Sequence, residues 1–92
     1  DRETFQKKWT PAVADFFKEL IAMVSIFDAF NAPELEEAVK HFIQEKGLKP
    51  GDVLPLLRLA LAGTMKGPAV FDMAVALGRE ETVRRLTALT RI

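Results

Sequence analysis

The stretch VLPLLRLALAGTMKGPAVFDMAVALG, residues 53–78, decides how the rest of the chain must be arranged. It reads as two short helices, each apolar on almost every side, joined by Gly63-Thr64-Met65-Lys66-Gly67. On a wheel of 3.6 residues per turn, Val53, Leu54, Leu56, Leu57, Leu59, Ala60 and Leu61 leave one narrow gap, occupied by Pro55, Ala62 and Arg58. Arg58 is therefore the sole charge of the first helix, and Asp72 that of the second, over residues 68–77. A helix apolar nearly all round belongs inside a protein, and neither run approaches the about 20 residues that a membrane span requires. Such a hairpin, with paired glycines, Thr, Met and Lys in its loop and an arginine beside it, is either an interaction site or plain core.

The flanking segments supply what would enclose it. Upstream, Thr10-Pro11 predicts a helix start, with Thr10 as cap and Pro11 at the first helical position, where a missing N–H costs nothing. Val13, Phe16, Phe17, Leu20, Ile21 and Val24 follow at i, i+3, i+4, i+7, i+8 and i+11, one face of a helix. Trp9, just before the cap, reads as a staple rather than a base-stacking platform. Asn31 with Glu34 three residues on is a capping-box arrangement, and Glu36 and Glu37 suit the positive end of the helix dipole. Leu35, Ala38, Val39, Phe42 and Ile43 form the buried stripe of this second helix, Gly47 its left-handed C-cap, and Leu48 folds back over the last turn. Lys49-Pro50-Gly51-Asp52 is turn chemistry, so the next helix starts between Pro50 and Val53; a start at Pro50 puts a kink at Pro55. Gly63 stops it, Gly67-Pro68 opens the fourth helix, and Gly78 closes that one. A fifth helix has Glu80 and Glu81 early, buries Val83, Leu86 and Leu89, and shows Arg79, Arg84, Arg85 and Arg91. The expected fold is all-α, a compact bundle of about five short helices over residues 10–92, with residues 1–9 a polar, frayed lead-in or linker.

Ninety-two residues suit one domain with a modest core, and 49% hydrophobic with 28% charged residues is a globular composition. With no cysteine there is neither a disulfide framework nor a thiolate metal site. Asp1-Arg2-Glu3-Thr4 is polar and leads into no apolar signal segment, so a cytoplasmic location is expected. The chain does not start with Met, which suggests a piece of a longer protein. Net charge is zero but unevenly placed: residues 1–47 hold six Lys/Arg against nine Asp/Glu, and residues 48–92 hold seven against four. A solvated face explains three units of charge as well as a contact surface does. His41 lies away from any His, Cys or carboxylate set at metal spacing and reads as a surface histidine. No nucleophile pattern, phosphate-cradling loop or carboxylate pair stands out, so nothing here reads as catalytic and no metal is expected.

Pro55-Leu56, Arg58, Ala60-Leu61, Gly63, then Pro68, Val70-Phe71-Asp72 and Leu77-Gly78-Arg79-Glu80 resemble the C-terminal anticodon-binding region of bacterial-type glutamyl-tRNA synthetases. That family shows a Pro-Leu-Arg-x-Ala-Leu-Thr-Gly segment, a variable loop, Pro-x-Leu-Phe-Glu, and a Leu-Gly-Lys-Glu turn into the last helix. Gly47-Leu48-Lys49-Pro50-Gly51 fits as well. The likeness is close over residues 47–86 and looser over 9–46, where mainly a helical pattern is shared. Leu57 inserted before Arg58, Ala62 in place of Thr and Asp72 in place of Glu depart from it.

The resemblance implies a fold of the class I synthetase anticodon-binding type and a tRNA-binding role in protein synthesis. It implies a parent enzyme, a glutamate–tRNA ligase, whose ATP-site signatures (HIGH-type and KMSKS-type) are absent from this chain. ATP and Mg would belong to that parent, and this segment needs no cofactor. Its expected partners are the anticodon loop of tRNA for glutamate and the preceding domains of the parent, with no membrane and a monomeric state. In the family, the arginine of the Pro-Leu-Arg helix and the start of the helix after the loop contact the first anticodon base. By position these are Arg58, then Gly67, Pro68 and Val70, with Gly67 standing where some members have Thr. Lys66, Arg79 and Arg84 would supply electrostatics toward the RNA backbone. Beside this stand two other readings, a helical protein–protein interaction module and a purely structural domain; an exposed apolar patch on the first or second helix would favour the last. Arg58 itself either reads a base or pairs with Asp72 across the hairpin, and the two roles can coexist.

Overall fold

The computed structural model describes residues 2–28, 30–63 and 69–91. Within them six helices follow one another: α1 (Arg2–Lys8), α2 (Pro11–Ile26), α3 (Ala32–Glu45), α4 (Pro50–Ala62), α5 (Val70–Leu77) and α6 (Arg79–Leu89). Among the described residues there is no strand. The all-α bundle expected from the sequence is what forms, with one helix more than expected. The Cα radius of gyration, 11.9 Å, is close to the roughly 12 Å of a compact domain of this length.

The extra helix is the segment expected to be a frayed lead-in. Its apolar content is one aromatic, Phe5, which stacks on Trp9 with ring centroids 4.9 Å apart; Trp9 in turn lies against Phe17 at 5.5 Å. Lys8 donates to the Asp52 carboxylate at 3.1 Å, tying α1 to the first turn of α4. Trp9 thus joins the core through Phe17, seven residues into α2, and also anchors α1 on its other side.

α2 begins as its sequence dictates, with the Val13 N–H donating to the Thr10 hydroxyl oxygen at 3.2 Å and Pro11 in the first turn. Val13, Phe16, Phe17, Leu20 and Val24 are buried, while Ile21 is half-buried against the core. At α3 the Glu34 N–H donates to Asn31 Oδ1 at 3.1 Å. The reciprocal bond runs from the Asn31 amide nitrogen to the Glu34 carboxylate, 3.3 Å, rather than from the Asn31 backbone. Leu35, Val39 and Ile43 are buried, with Phe42 half-buried on Phe16 at 5.1 Å between centroids. α3 ends in the doubly bonded reversal that a left-handed glycine permits: Gly47 has φ 73°, its N–H donates to the Gln44 carbonyl, and the Leu48 N–H donates to that of Ile43.

α4 starts at Pro50, the earliest of the expected positions, so Pro55 lies inside it and Asp52 adds a second charge beside Arg58. Pro55 has no N–H to give the Gly51 carbonyl one turn back. Val53, Leu56, Leu57 and Leu61 are buried, and α1, α3, α5 and α6 all pack on this one helix. α5 contributes Val70, Phe71 and Ala74. The start expected for it at Gly67-Pro68 lies outside the described residues. Between α5 and α6 stands the single residue Gly78, at φ 90° and ψ 162°, a region essentially closed to side-chain-bearing residues. α6 turns a face slightly different from the expected one: Thr82, Leu86 and Leu89 are buried and Val83 is half-buried. Thr82 is accommodated because its hydroxyl donates to the Ala74 carbonyl at 3.0 Å, one of the last carbonyls of α5.

Leu57 and Phe71 keep 4% and 6% of their surface exposed and sit where α4 and α5 meet the other helices. Truncating either to Ala removes buried volume that no neighbour can refill, and a loss of about 2–5 kcal/mol is expected. Chemical or thermal melts read this directly, and an unchanged midpoint for both variants would place the hairpin at the periphery.

Candidate functional site

Two helices bring two of the seven expected recognition residues together. Arg58, half-buried on α4, and Val70, the first residue of α5, line one hollow of about 330 Å³ whose other walls are Pro50, Gly51, Leu54 and Pro55. Leu54 and Pro55 precede Arg58 by four and three residues, so the three share one helical face. The residues around Arg58 in this hollow are apolar or contribute backbone. Ala69, before α5, has no acceptor side chain, so the first N–H groups of that helix carry no side-chain cap. Asp72 lies in the same first turn and is exposed. Lys66, Gly67 and Pro68 lie outside the described residues.

Arg79 and Arg84, the two remaining candidates, are placed on α6 in different surroundings. The Arg79 guanidinium carbon sits 5.3 Å from the centre of the Phe30 ring, and its Nη1 donates to the Ser25 carbonyl at 3.2 Å. It therefore holds the end of α2 and the segment after it against the start of α6. Arg84 is exposed and pairs with Glu81 one turn back. Arg85, expected on the surface with Arg84, is instead half-buried: its Nε donates to Glu81 at 2.7 Å and its Nη1 donates to the Leu61 carbonyl at the end of α4. Periodicity alone could not single it out, because the bond crosses 24 residues.

Hydrogen bonds from Arg84 first and Arg85 second hold the Glu81 carboxyl at about 2, well below its ordinary 4.5. His41 is exposed beside Glu45, 3.4 Å away, a surface histidine as expected. Among the described residues no group of His, Cys, Asp and Glu is assembled that could hold a metal, and no helix is long and apolar enough to cross a membrane. A larger hollow lies elsewhere, an open groove of about 1360 Å³ between the end of α2 and α3, lined in part by Met23, Ile26, Phe27, Pro33 and Ala38.

Of the candidate residues, Arg58 and Val70 are thus the two that meet, at one hollow between two helices. A family model described as "Anticodon binding domain" matches residues 1–90. The chain belongs to this anticodon-binding domain family. It is 38% identical over 86 residues to a glutamate–tRNA ligase of Porphyromonas gingivalis, covering 94% of this chain and 17% of the relative. A glutamate–tRNA ligase of Amoebophilus asiaticus is 30% identical over 92 residues, all of this chain and 18% of that one. The crystal structure of a glutamate tRNA ligase from Elizabethkingia meningosepticum, in complex with its amino acid, superposes with a TM-score of 0.87 at 36% identity, over 99% of this chain and 18% of that one. The chain thus spans less than a fifth of the length of the relatives it matches.

The lowered Glu81 value has a signed consequence. Because the folded group titrates below the unfolded one, its contribution is present above about 4.5 and disappears as pH falls toward about 2. Glu81→Gln should therefore be less stable than the parent sequence near neutral pH, the difference shrinking between pH 5 and 2, as acid melts of the two proteins would record. A gap constant across that range would detach Glu81 from both arginines.

Proposed function

We propose that this domain reads the anticodon loop of tRNA for glutamate, at the first anticodon base, as part of a glutamate–tRNA ligase acting in protein synthesis. The observation that carries the reading is the meeting of Arg58 and Val70, from two different helices, at one hollow in a chain of the anticodon-binding domain family. Unstacked loop bases present their Watson–Crick edges to side chains. The forked donors of an arginine match the adjacent O2 and N3 acceptors of a cytosine, and the planar group is pre-organised for such a pair. Gly67 and Pro68 complete the base-facing set in this reading, and Lys66, Arg79 and Arg84 neutralise phosphates, Arg84 with 73% of its side chain exposed. The chemistry with ATP and Mg is assigned to other segments of a cytoplasmic, monomeric parent enzyme, and this segment binds no cofactor of its own.

A second reading, a protein-docking or purely structural domain, draws on Ile26. It is the exposed large hydrophobic residue among those described, 78% open at the end of α2, and it lines the α2–α3 groove. Salt-sensitive association with tRNA that an unrelated polyanion does not reproduce favours the first reading; its absence favours the second.

Arg58→Ala in the full-length enzyme should weaken recognition of tRNA by roughly 1–3 kcal/mol, the scale of a bidentate base contact, and only for the cognate first anticodon base. Lys66→Ala or Arg84→Ala should weaken all variants alike and flatten the salt dependence. If Arg58 acts only through a bridge to Asp72, Arg58→Ala and Asp72→Ala lower the melting temperature together and base preference stays put. Charging kinetics on tRNAs varied at the first anticodon base, with melts of the same proteins, decide between the two.

A further inference from the structure

α4 poses a problem of alignment. An amphipathic helix is set about its own axis by the boundary between its wet and dry faces, whereas a helix apolar on nearly every side has no such boundary. Its rotation and slide rest on side-chain shape and on whatever directional bonds reach its ends. Such bonds reach α4 from other helices at both ends. At the start, Asp52 is held by Lys8 of α1 at 3.1 Å. At the finish, the Leu61 carbonyl, one of the last four that lack a partner within the helix, accepts from Arg85 Nη1 of α6.

The second bond is built with care. Arg85 spends its Nε on Glu81 at 2.7 Å, which fixes the plane of the guanidinium and leaves Nη1 aimed at α4. The cation also lies at the negative end of the α4 dipole. Glu81 takes part in both arginine pairs, yet Arg84 turns outward with 73% of its side chain exposed, against 38% for Arg85. Only a planar fork can serve a carboxylate on one edge and a carbonyl on the other; a lysine has one nitrogen for both.

We propose that Arg85 is a positioning residue for base reading: it pins the C-terminal end of α4 and thereby sets the helix from which Arg58 projects, one turn before Leu61. The inference rests on the base-reading role given to Arg58 above. Arg85 acts through α4 and makes no contact with RNA.

The test is a double-mutant cycle in the full-length parent enzyme, with tRNA dissociation constants measured at several salt concentrations, well below the melting transition. Arg85→Ala is expected to weaken binding about tenfold on the tRNA with the cognate first anticodon base and little on the others, with an unchanged salt slope. In an Arg58→Ala background the same substitution is expected to cost nothing more, because the residue it positions is gone. Arg85→Lys, which keeps stem and charge, is expected to behave like the Ala variant and carries the test if Arg85→Ala does not fold. Losses that multiply in the double variant, or unchanged binding in both Arg85 variants, overturn the proposal. A salt slope reduced by about one makes Arg85 a phosphate contact and overturns it as well. An unmodified enzyme that binds no tRNA removes the base-reading function itself, whereas normal binding with indifferent Arg85 variants removes only this inference.

Discussion

The constraint on which the structure depends is that α4 carries only two polar side chains, Asp52 and Arg58, and is otherwise apolar. Four of its side chains, Val53, Leu56, Leu57 and Leu61, are buried, and four of the other five helices close over them. Each such side chain, taken fully from water, is worth about 1.5–3 kcal/mol, while an exposed ion pair is worth about 0–1. The surface pairs Lys7–Glu3, Lys40–Glu36 and Lys46–Glu19 therefore decorate a bundle that the enclosure of α4 has already determined. The same argument explains α1: a seven-residue helix has little stability of its own and persists because Phe5 and Trp9 give it a place beside Phe17, with Lys8 on Asp52.

Six short helices among the described residues mean many helix ends, and each end leaves polar backbone groups to be satisfied. Local chemistry meets part of this: Thr10 and Asn31 at starts, Gly47 and Leu48 at a finish. Where the chain has no residue to spare, another helix supplies the partner. Gly78 is the whole connection between α5 and α6, and the Ala74 carbonyl that accepts its N–H also accepts the Thr82 hydroxyl of the next helix. α4 receives a bond from Arg85. Among the described residues no buried side-chain nitrogen or oxygen is left without a partner.

This division between local and remote chemistry sets what the sequence reveals. Periodicity exposes the α2 stripe from Val13 to Val24, and cap residues mark its start and that of α3, because both signals lie within a few residues of their effect. Helix α1 is invisible to that reading: six of its seven residues are polar or charged, and its cover comes from Trp9, Phe17 and Asp52. Thr82 escapes it too, since a hydroxyl next to Val83 looks like the wetter choice until the Ala74 carbonyl is in place to receive it. Arg85 reads as one more surface arginine until Leu61 is brought to it across the fold. Of the candidate site, Arg58 stands out in the sequence as a lone charge, but its company with Val70 is a fact of packing between two helices. Nothing in the spacing of the two residues predicts that hollow.

A helix that must be enclosed also limits where recognition can happen. Val53, Leu56, Leu57 and Leu61 of α4 and Val70, Phe71 and Ala74 of α5 are committed to the core, so these residues have nothing to present to a partner. Arg58 lies outside that set, beside the first residue of α5. Arg58 is half-buried there, and a side chain already restrained spares a partner part of the about 0.5–1.5 kcal/mol that freezing a long, mobile one costs. The stability of the domain and the setting of Arg58 thus rest on the same enclosed helix, and a change that loosens α4 loosens both.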